Sequence, residues 1–216
     1  MLFSNTSRKG GFLFFLFSIL STLLLLSSQV STAVAAPVND IGTLVPRDKN
    51  IPDKAEVEKL VKPENLHEFS KYAKNGQPPK DKAIYFTSPK DGPRNSPRTV
   101  NDLIKWANSQ QLTSVRNIWK NANFHTRGQY KEVDENTFAE FQNAFSKYYA
   151  QQTDGKAYLI FPHDKEVSET SIFYKTEFTE IKSHGKVDEI IWIDLNKIHD
   201  KDYDWKDEKK TYWKKH

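Results

Sequence analysis

Glu177 is the residue of this sequence best suited to chemistry. It stands four residues after Phe173, within Ser171-Ile172-Phe173-Tyr174-Lys175-Thr176-Glu177. A carboxylate beside aromatic side chains suits one task well. It opposes the positive charge that develops on a sugar ring as its glycosidic bond breaks, while the aromatic walls exclude water and bind planar or cationic rings. The residues alone leave a second account open, in which Phe173 and Phe178 belong to the core and Glu177 sits exposed on a strand, the usual place for an isolated Glu. Other chemistries find less support. The chain has no Cys, hence no thiol nucleophile and no Cys-based metal site. His67, His125, His163, His184, His199 and His216 show no H-x-x-x-H spacing and none pairs in sequence with a carboxylate. They read as exposed or hydrogen-bonded surface residues, with no metal expected.

The elements that must position Glu177 follow from periodicity. Ala83-Ile84-Tyr85-Phe86-Thr87, Ala157-Tyr158-Leu159-Ile160-Phe161 and Val187 to Ile193 read as strands, the last two as buried ones. Ser96-Pro97 is a cap followed by Pro at the first helical position, which predicts a helix over 97–109. Asp134 caps a second helix over 135–151, with Phe138, Phe141, Phe145, Tyr148 and Tyr149 on one stripe and Asp154-Gly155 closing it. An amphipathic segment from Lys54 to Asn75 is interrupted by Pro63 and stopped by Gly76-Gln77-Pro78-Pro79, and Thr113 to Trp119 reads as a short helix. Ser171 to Ile181 is mixed in character. The order predicts an α/β (α+β) single domain: a small central sheet flanked by helices over 54–196.

The ends of the chain read differently. Arg8 and Lys9 precede an apolar block from Phe12 to Leu26, and Ala33-Val34-Ala35 offers a small-residue cleavage site. That pattern describes a secretory signal peptide over residues 1–35, too short and too weakly flanked for a membrane anchor. The expected location is therefore secreted and extracellular. Residues 36–53 read as a flexible leader, or a propeptide ending near Arg47. Loss of Arg8 and Lys9 takes the 32 basic residues to 30 against 28 acidic ones, a net charge of +2. Such balance gives no reason to expect nucleic acid as a partner. The tail from Lys197 to His216 interleaves charges that largely cancel and reads as a solvated tail or peripheral turn.

Taken in order, these pieces resemble the ADP-ribosyl cyclase / NAD glycohydrolase family and bacterial toxin domains that share its pattern. Ile84-Tyr85-Phe86-Thr87-Ser88 occupies the place of the family's first aromatic strand, and Leu112-Thr113-Ser114-Val115-Arg116 that of its Thr-Leu-Glu-Asp turn. Gln142-x-x-x-Ser146-x-x-Tyr149-Ala150 matches the second half of its Trp-x-x-x-Ser-x-x-Phe-Ala helix, and Ser171-x-Phe173-x-x-x-Glu177 its closing motif. The resemblance covers residues 83–194 and implies a cyclase-like core with Glu177 as the catalytic residue. It also implies NAD as substrate, with no cofactor and no metal. Tyr85 or Phe86 with Phe141 would sandwich the nicotinamide, Gln142, Ser146 and Phe173 would complete the site, and Ser171 would bind ribose or phosphate oxygens. Arg94, Arg98 and Arg116 are available to the pyrophosphate. The chain departs from the family at the acidic pair that holds the nicotinamide amide, which falls on Val115 and Arg116, and at the helix Trp, which falls on Gln142.

Two functions are compatible with this sequence. The first is a secreted enzyme that cleaves the nicotinamide–ribose bond of NAD, as a toxin or effector would. The second is a secreted binding protein that keeps the fold, lacks catalysis, and engages a host-cell protein through Trp205, Tyr212 and Trp213 as exposed anchors.

Overall fold

Parallel strands buried on both faces form the centre of the chain. The computed structural model describes residues 48–74, 77–91 and 97–216, with side chains from Thr99 onward in the last segment. The expected signal peptide, most of the flexible leader, Gly76, Arg94, the Ser96 cap and the side chain of Arg98 lie outside the described residues. All described residues belong to one compact unit, Pro46–His216.

The first strand, β1 (Ala83–Phe86), pairs in parallel with β2 (Thr113–Ser114) on one side and with β3 (Gly155–Phe161) on the other. Beyond β3 lies β4 (Val187–Asp194), also parallel, and then β5 (Thr211–Lys214), which is antiparallel, giving the order β2-β1-β3-β4-β5. Alternation along each strand sends side chains to opposite faces. Ala83, Tyr85, Ala157, Leu159 and Phe161 enter one core, and Ile84, Ile160 and Ile193 enter a second. Two buried faces explain why these segments read as continuous apolar runs. The start of β3 is fixed by Gly155, which has φ +74° and whose hypothetical Cβ would lie 2.1 Å from Asp81 Oδ1.

Helix α1 (Lys54–Leu60) begins at Asp53 with a reciprocal capping box to Glu56. Pro63 then restarts the chain as a 3₁₀ helix over Pro63–Lys71, so the expected amphipathic segment, over its described residues, holds two short elements. Helix α2 (Pro97–Ser109) covers the second core through Leu103 and Ala107. Helix α3 (Glu135–Gln152) starts at Asp134, whose carboxylate accepts from Thr137 N at 3.0 Å, and covers the first core. A five-residue π turn, Phe173–Glu177, runs into α4 (Phe178–His184).

Two expectations are corrected. Thr113 to Trp119 is no helix; it supplies β2 and then turns, because Thr113 and Ser114 pair with Ala83 and Ile84. Residues 197–216 are no solvated tail. Ile198 and Trp205 are buried in the second core, the Trp205 indole donates to Gln110 Oε1 at 2.8 Å, and β5 extends the sheet. Trp205 is therefore not an exposed anchor, and Tyr212 and Trp213 are only half-exposed, packed against the first core.

Candidate active site

The strand order creates a crevice. From β1 the chain crosses to β2 through α2 on the second-core face, whereas from β3 it reaches β4 through α4 on the first-core face. Between two such strands the following loops diverge, and the space past their carboxyl ends stays open. A cavity of about 690 Å³ lies there, a size that suits a small-molecule ligand. Its walls come from the loop after β1 (Phe86 to Lys90), the segment after β2 (Val115, Arg116, His125), the middle of α3 (Gln142, Phe145, Ser146) and the segment after β3 (Ser168 to Glu177).

Glu177 lines this cavity and is only 6% exposed. It is helical, not extended, which removes the alternative of an exposed strand residue. The π turn carrying it is a local departure from α geometry of a kind frequent at functional sites. Ser171 holds the start of that turn: its Oγ accepts from Tyr174 N at 3.1 Å and from Thr87 Oγ1 at 3.0 Å, tying the turn to the end of β1. The same two rims are joined where Ser168 N donates to Ser88 O at 3.0 Å and Lys90 N donates to Glu166 O at 2.9 Å. Burial pushes the Glu177 carboxyl up to about 8, opposed by a hydrogen bond from the Ser146 hydroxyl. Below that pH Glu177 is mostly the neutral acid. A cation placed beside it favours the carboxylate.

Of the residues singled out in the sequence, Phe86, Gln142, Ser146, Ser171, Phe173 and Glu177 all line this cavity. Tyr85 and Phe141 do not. Tyr85 points to the first-core face of β1, is 1% exposed, shares a hydrogen bond with Thr153 Oγ1 at 2.6 Å, and packs its ring against Phe173 at 5.7 Å and a tilt of 53°. It forms a layer behind the cavity wall. Phe141 is fully buried among Phe69, Phe124, Tyr130 and Phe145, at ring distances of 5.2–5.7 Å. The helical period explains this correction. Gln142, Phe145 and Ser146 share one stripe of α3, and Phe141 lies about 100° away from Gln142. Phe145 is the aromatic residue that this stripe offers to the cavity.

His125 was not legible as a site residue. It lies in an irregular segment between the buried Phe124 and Tyr130 and lines the cavity together with Arg116. The residue is half-exposed, but its Nδ1 is buried with no hydrogen-bond partner among the described residues, and burial together with the Arg116 charge pushes the imidazole down to about 4. No group of three His, Asp or Glu among the described residues could hold a metal ion.

No family model matches the chain, and no curated protein does. Among solved structures it is similar to an ADP ribosyl cyclase complexed with N1-cIDPR (13% identity, 53% of this chain and 49% of that one, TM-score 0.36). It is also similar to Aplysia cyclase complexed with substrate NGD and product cGDPR (12% identity, 64% and 63%, TM-score 0.41), and to porcine CD38 with a covalent intermediate (14% identity, 64% and 68%, TM-score 0.38). The chain thus spans about half the length of the first and 63% of the second. At these values the likeness is distant, well short of one that assigns the chain to a family.

Proposed function

We propose that this chain cleaves the N-glycosidic bond between nicotinamide and ribose in NAD. The observation that carries the proposal is the placement of Glu177: a buried carboxyl group in the wall of a ligand-sized cavity, hydrogen-bonded by Ser146 and flanked by Phe86, Phe145 and Phe173. The spacing of Ser171, Phe173 and Glu177, which resembles the closing motif of NAD-cleaving enzymes, supports the same reading.

The chemistry follows from charge. The pyridinium ring of NAD carries a positive charge, and its entry favours loss of the Glu177 proton to solvent. The C1′–N bond then breaks with its electron pair passing to the ring nitrogen, so the pyridine leaves neutral and the ribose becomes an oxocarbenium ion. Glu177 opposes that new charge in a site sheltered from water, where one well-placed electrostatic group contributes roughly 3–4 kcal/mol. Water adds to C1′ and releases a proton, giving hydrolysis. Phe86 and Phe145 supply the apolar surface for the departing ring. The sequence supports a site of action outside the producing cell, through the signal-peptide pattern of residues 1–35. Among the described residues no helix is long and apolar enough to cross a membrane.

The test is release of nicotinamide from NAD by purified protein, followed by liquid chromatography against a heat-inactivated control. Release above the control is expected. Its absence across pH 5–9 would remove the enzyme reading and leave the cavity a binding site.

A further inference from the structure

Thr87 and Ser171 both line the cavity, yet their hydroxyl groups are engaged with the protein itself. Ser171 Oγ accepts from Tyr174 N at 3.1 Å, three residues on, which is the geometry of a helix cap. It also accepts from Thr87 Oγ1 at 3.0 Å, so both of its lone pairs are filled. The Ser171 carbonyl accepts from Lys175 N at 3.0 Å. These bonds set where the π turn begins, and Phe178 N closes it by donating to Phe173 O. A π turn holds one residue more than an α turn, and one residue is a rotation of about 100°. Relaxation to α geometry would turn Phe173 and Phe178 relative to one another with Glu177 between them. Glu177 would then leave its place on the cavity wall, where the Ser146 hydroxyl bonds to it.

Thr87 is placed to prevent this. It is 6% exposed and follows directly on β1. Further out, the same loop is joined to the segment after β3 by the Pro89–Val167 bridge and by the ion pair of Lys90 with Glu166, whose side chains are both more than half exposed. An exposed ion pair holds such a ribbon weakly. The Thr87–Ser171 bond lies at its sheltered end, next to the turn. We propose that Thr87 is a positioning residue: through Ser171 it fixes the π turn in the register that keeps Glu177 on the cavity wall. Its importance for turnover rests on the NAD reading; its placing of the carboxyl group does not.

Thr87→Val keeps the branched shape and removes the donor, whereas Thr87→Ser keeps the hydroxyl; circular dichroism confirms that each is folded. The first readout is kcat and KM for NAD. Thr87→Val should lower kcat by about 10²-fold, the cost of a misplacement near 1 Å, with KM little changed, and Thr87→Ser should restore most of the loss. A retained kcat with a raised KM overturns the proposal, since it makes the hydroxyl a ligand contact. So does a Thr87→Ser protein as slow as Thr87→Val.

The second readout needs no turnover: the Tm of wild type and Thr87→Val at pH 5, 6.5 and 8. A loosened turn opens the Glu177 carboxyl to water and brings its pKa down from about 8. Ionisation of the folded chain then costs less, so the Tm deficit of Thr87→Val should be largest at pH 5 and shrink as pH rises to 8. Tyr85 and Tyr149, which feel the Glu177 charge, stay neutral over this range. Of the other groups on the cavity wall, Lys90 and Arg116 stay charged, and His125, held down to about 4, is common to both proteins. A deficit equal at every pH marks a merely structural bond and overturns the proposal. If Thr87→Val does not fold, Ser171→Ala takes its place under the same criteria, with Ser171→Thr as its rescue. A shrinking deficit without nicotinamide release from wild type would sink the NAD reading alone, and release with a uniform deficit would sink the positioning role alone.

Discussion

Replacing Glu177 by Gln should stabilise the folded chain at neutral pH and above, while leaving it almost unchanged in acid. The sign follows from linkage. The carboxyl has an ordinary pKa of 4.5 and is held at about 8 in the fold, chiefly by burial. Its contribution is therefore fully present below pH 4.5, where both states are protonated, and is lost as pH rises towards 8, because the unfolded chain ionises and the folded one does not. Each tenfold step between those values is worth about 1.4 kcal/mol, so the loss approaches about 5 kcal/mol above pH 8 and is about 3 kcal/mol at pH 7. Gln keeps the shape and can still accept from Ser146, but it does not titrate. For a domain of this size about 3 kcal/mol corresponds to roughly 6–12 °C in Tm. The assay is thermal unfolding of wild type and Glu177→Gln at pH 4.5, 6, 7 and 8. The difference should be near zero at the first and grow steadily to the last. A difference independent of pH, or one that favours wild type at pH 8, would refute the reasoning and imply that Glu177 is ionised in the folded chain.

Other outcomes follow from the packing. The Tyr149 hydroxyl accepts from Ile84 N at 3.0 Å and lies within hydrogen-bond reach of the Ile84 and Thr113 carbonyls, so it joins α3 to β1 and β2. Tyr149→Phe should keep the fold and lower stability by about 1–3 kcal/mol in chemical denaturation; no loss would mean water replaces that bridge. Ending the chain at Asn196 removes β5 and the buried side chains of Ile198 and Trp205. Loss of one buried Trp alone costs about 3–5 kcal/mol, against a total near 5–15, so the truncated protein should fail to unfold cooperatively, and a sharp transition at the wild-type Tm would contradict the assignment. Phe173→Ala should weaken both stability, by about 3–5 kcal/mol, and binding to the cavity, measured together by calorimetry with and without ligand.

What the sequence disclosed was the part set by strong local signals. Continuous apolar runs identify β1, β3 and β4 because these strands are buried on both faces, and the Asp134 cap with its aromatic stripe identifies α3. The face assignment within α3 went wrong at Phe141 because an all-aromatic stripe does not say which edge meets a cavity. The fifth strand was hidden because it lies at the sheet edge, where Thr211 and Lys214 face solvent and charge masks the pattern. The two-residue β2 and the π turn have no periodicity to read. The Ser171-x-Phe173-x-x-x-Glu177 spacing could be read directly, whereas the place of His125 on the cavity wall depends on an irregular segment with no periodicity to read.

The central claim, that Glu177 acts on a nicotinamide–ribose bond, is tested most directly by one ratio: the rate of nicotinamide release from saturating NAD by wild type over that by Glu177→Gln, both shown to be folded. Loss of a charge that stabilises the oxocarbenium should lower the rate by about 10²–10³, even though the variant is the more stable protein at pH 7. A Glu177→Gln protein that releases nicotinamide as fast as wild type would contradict the account.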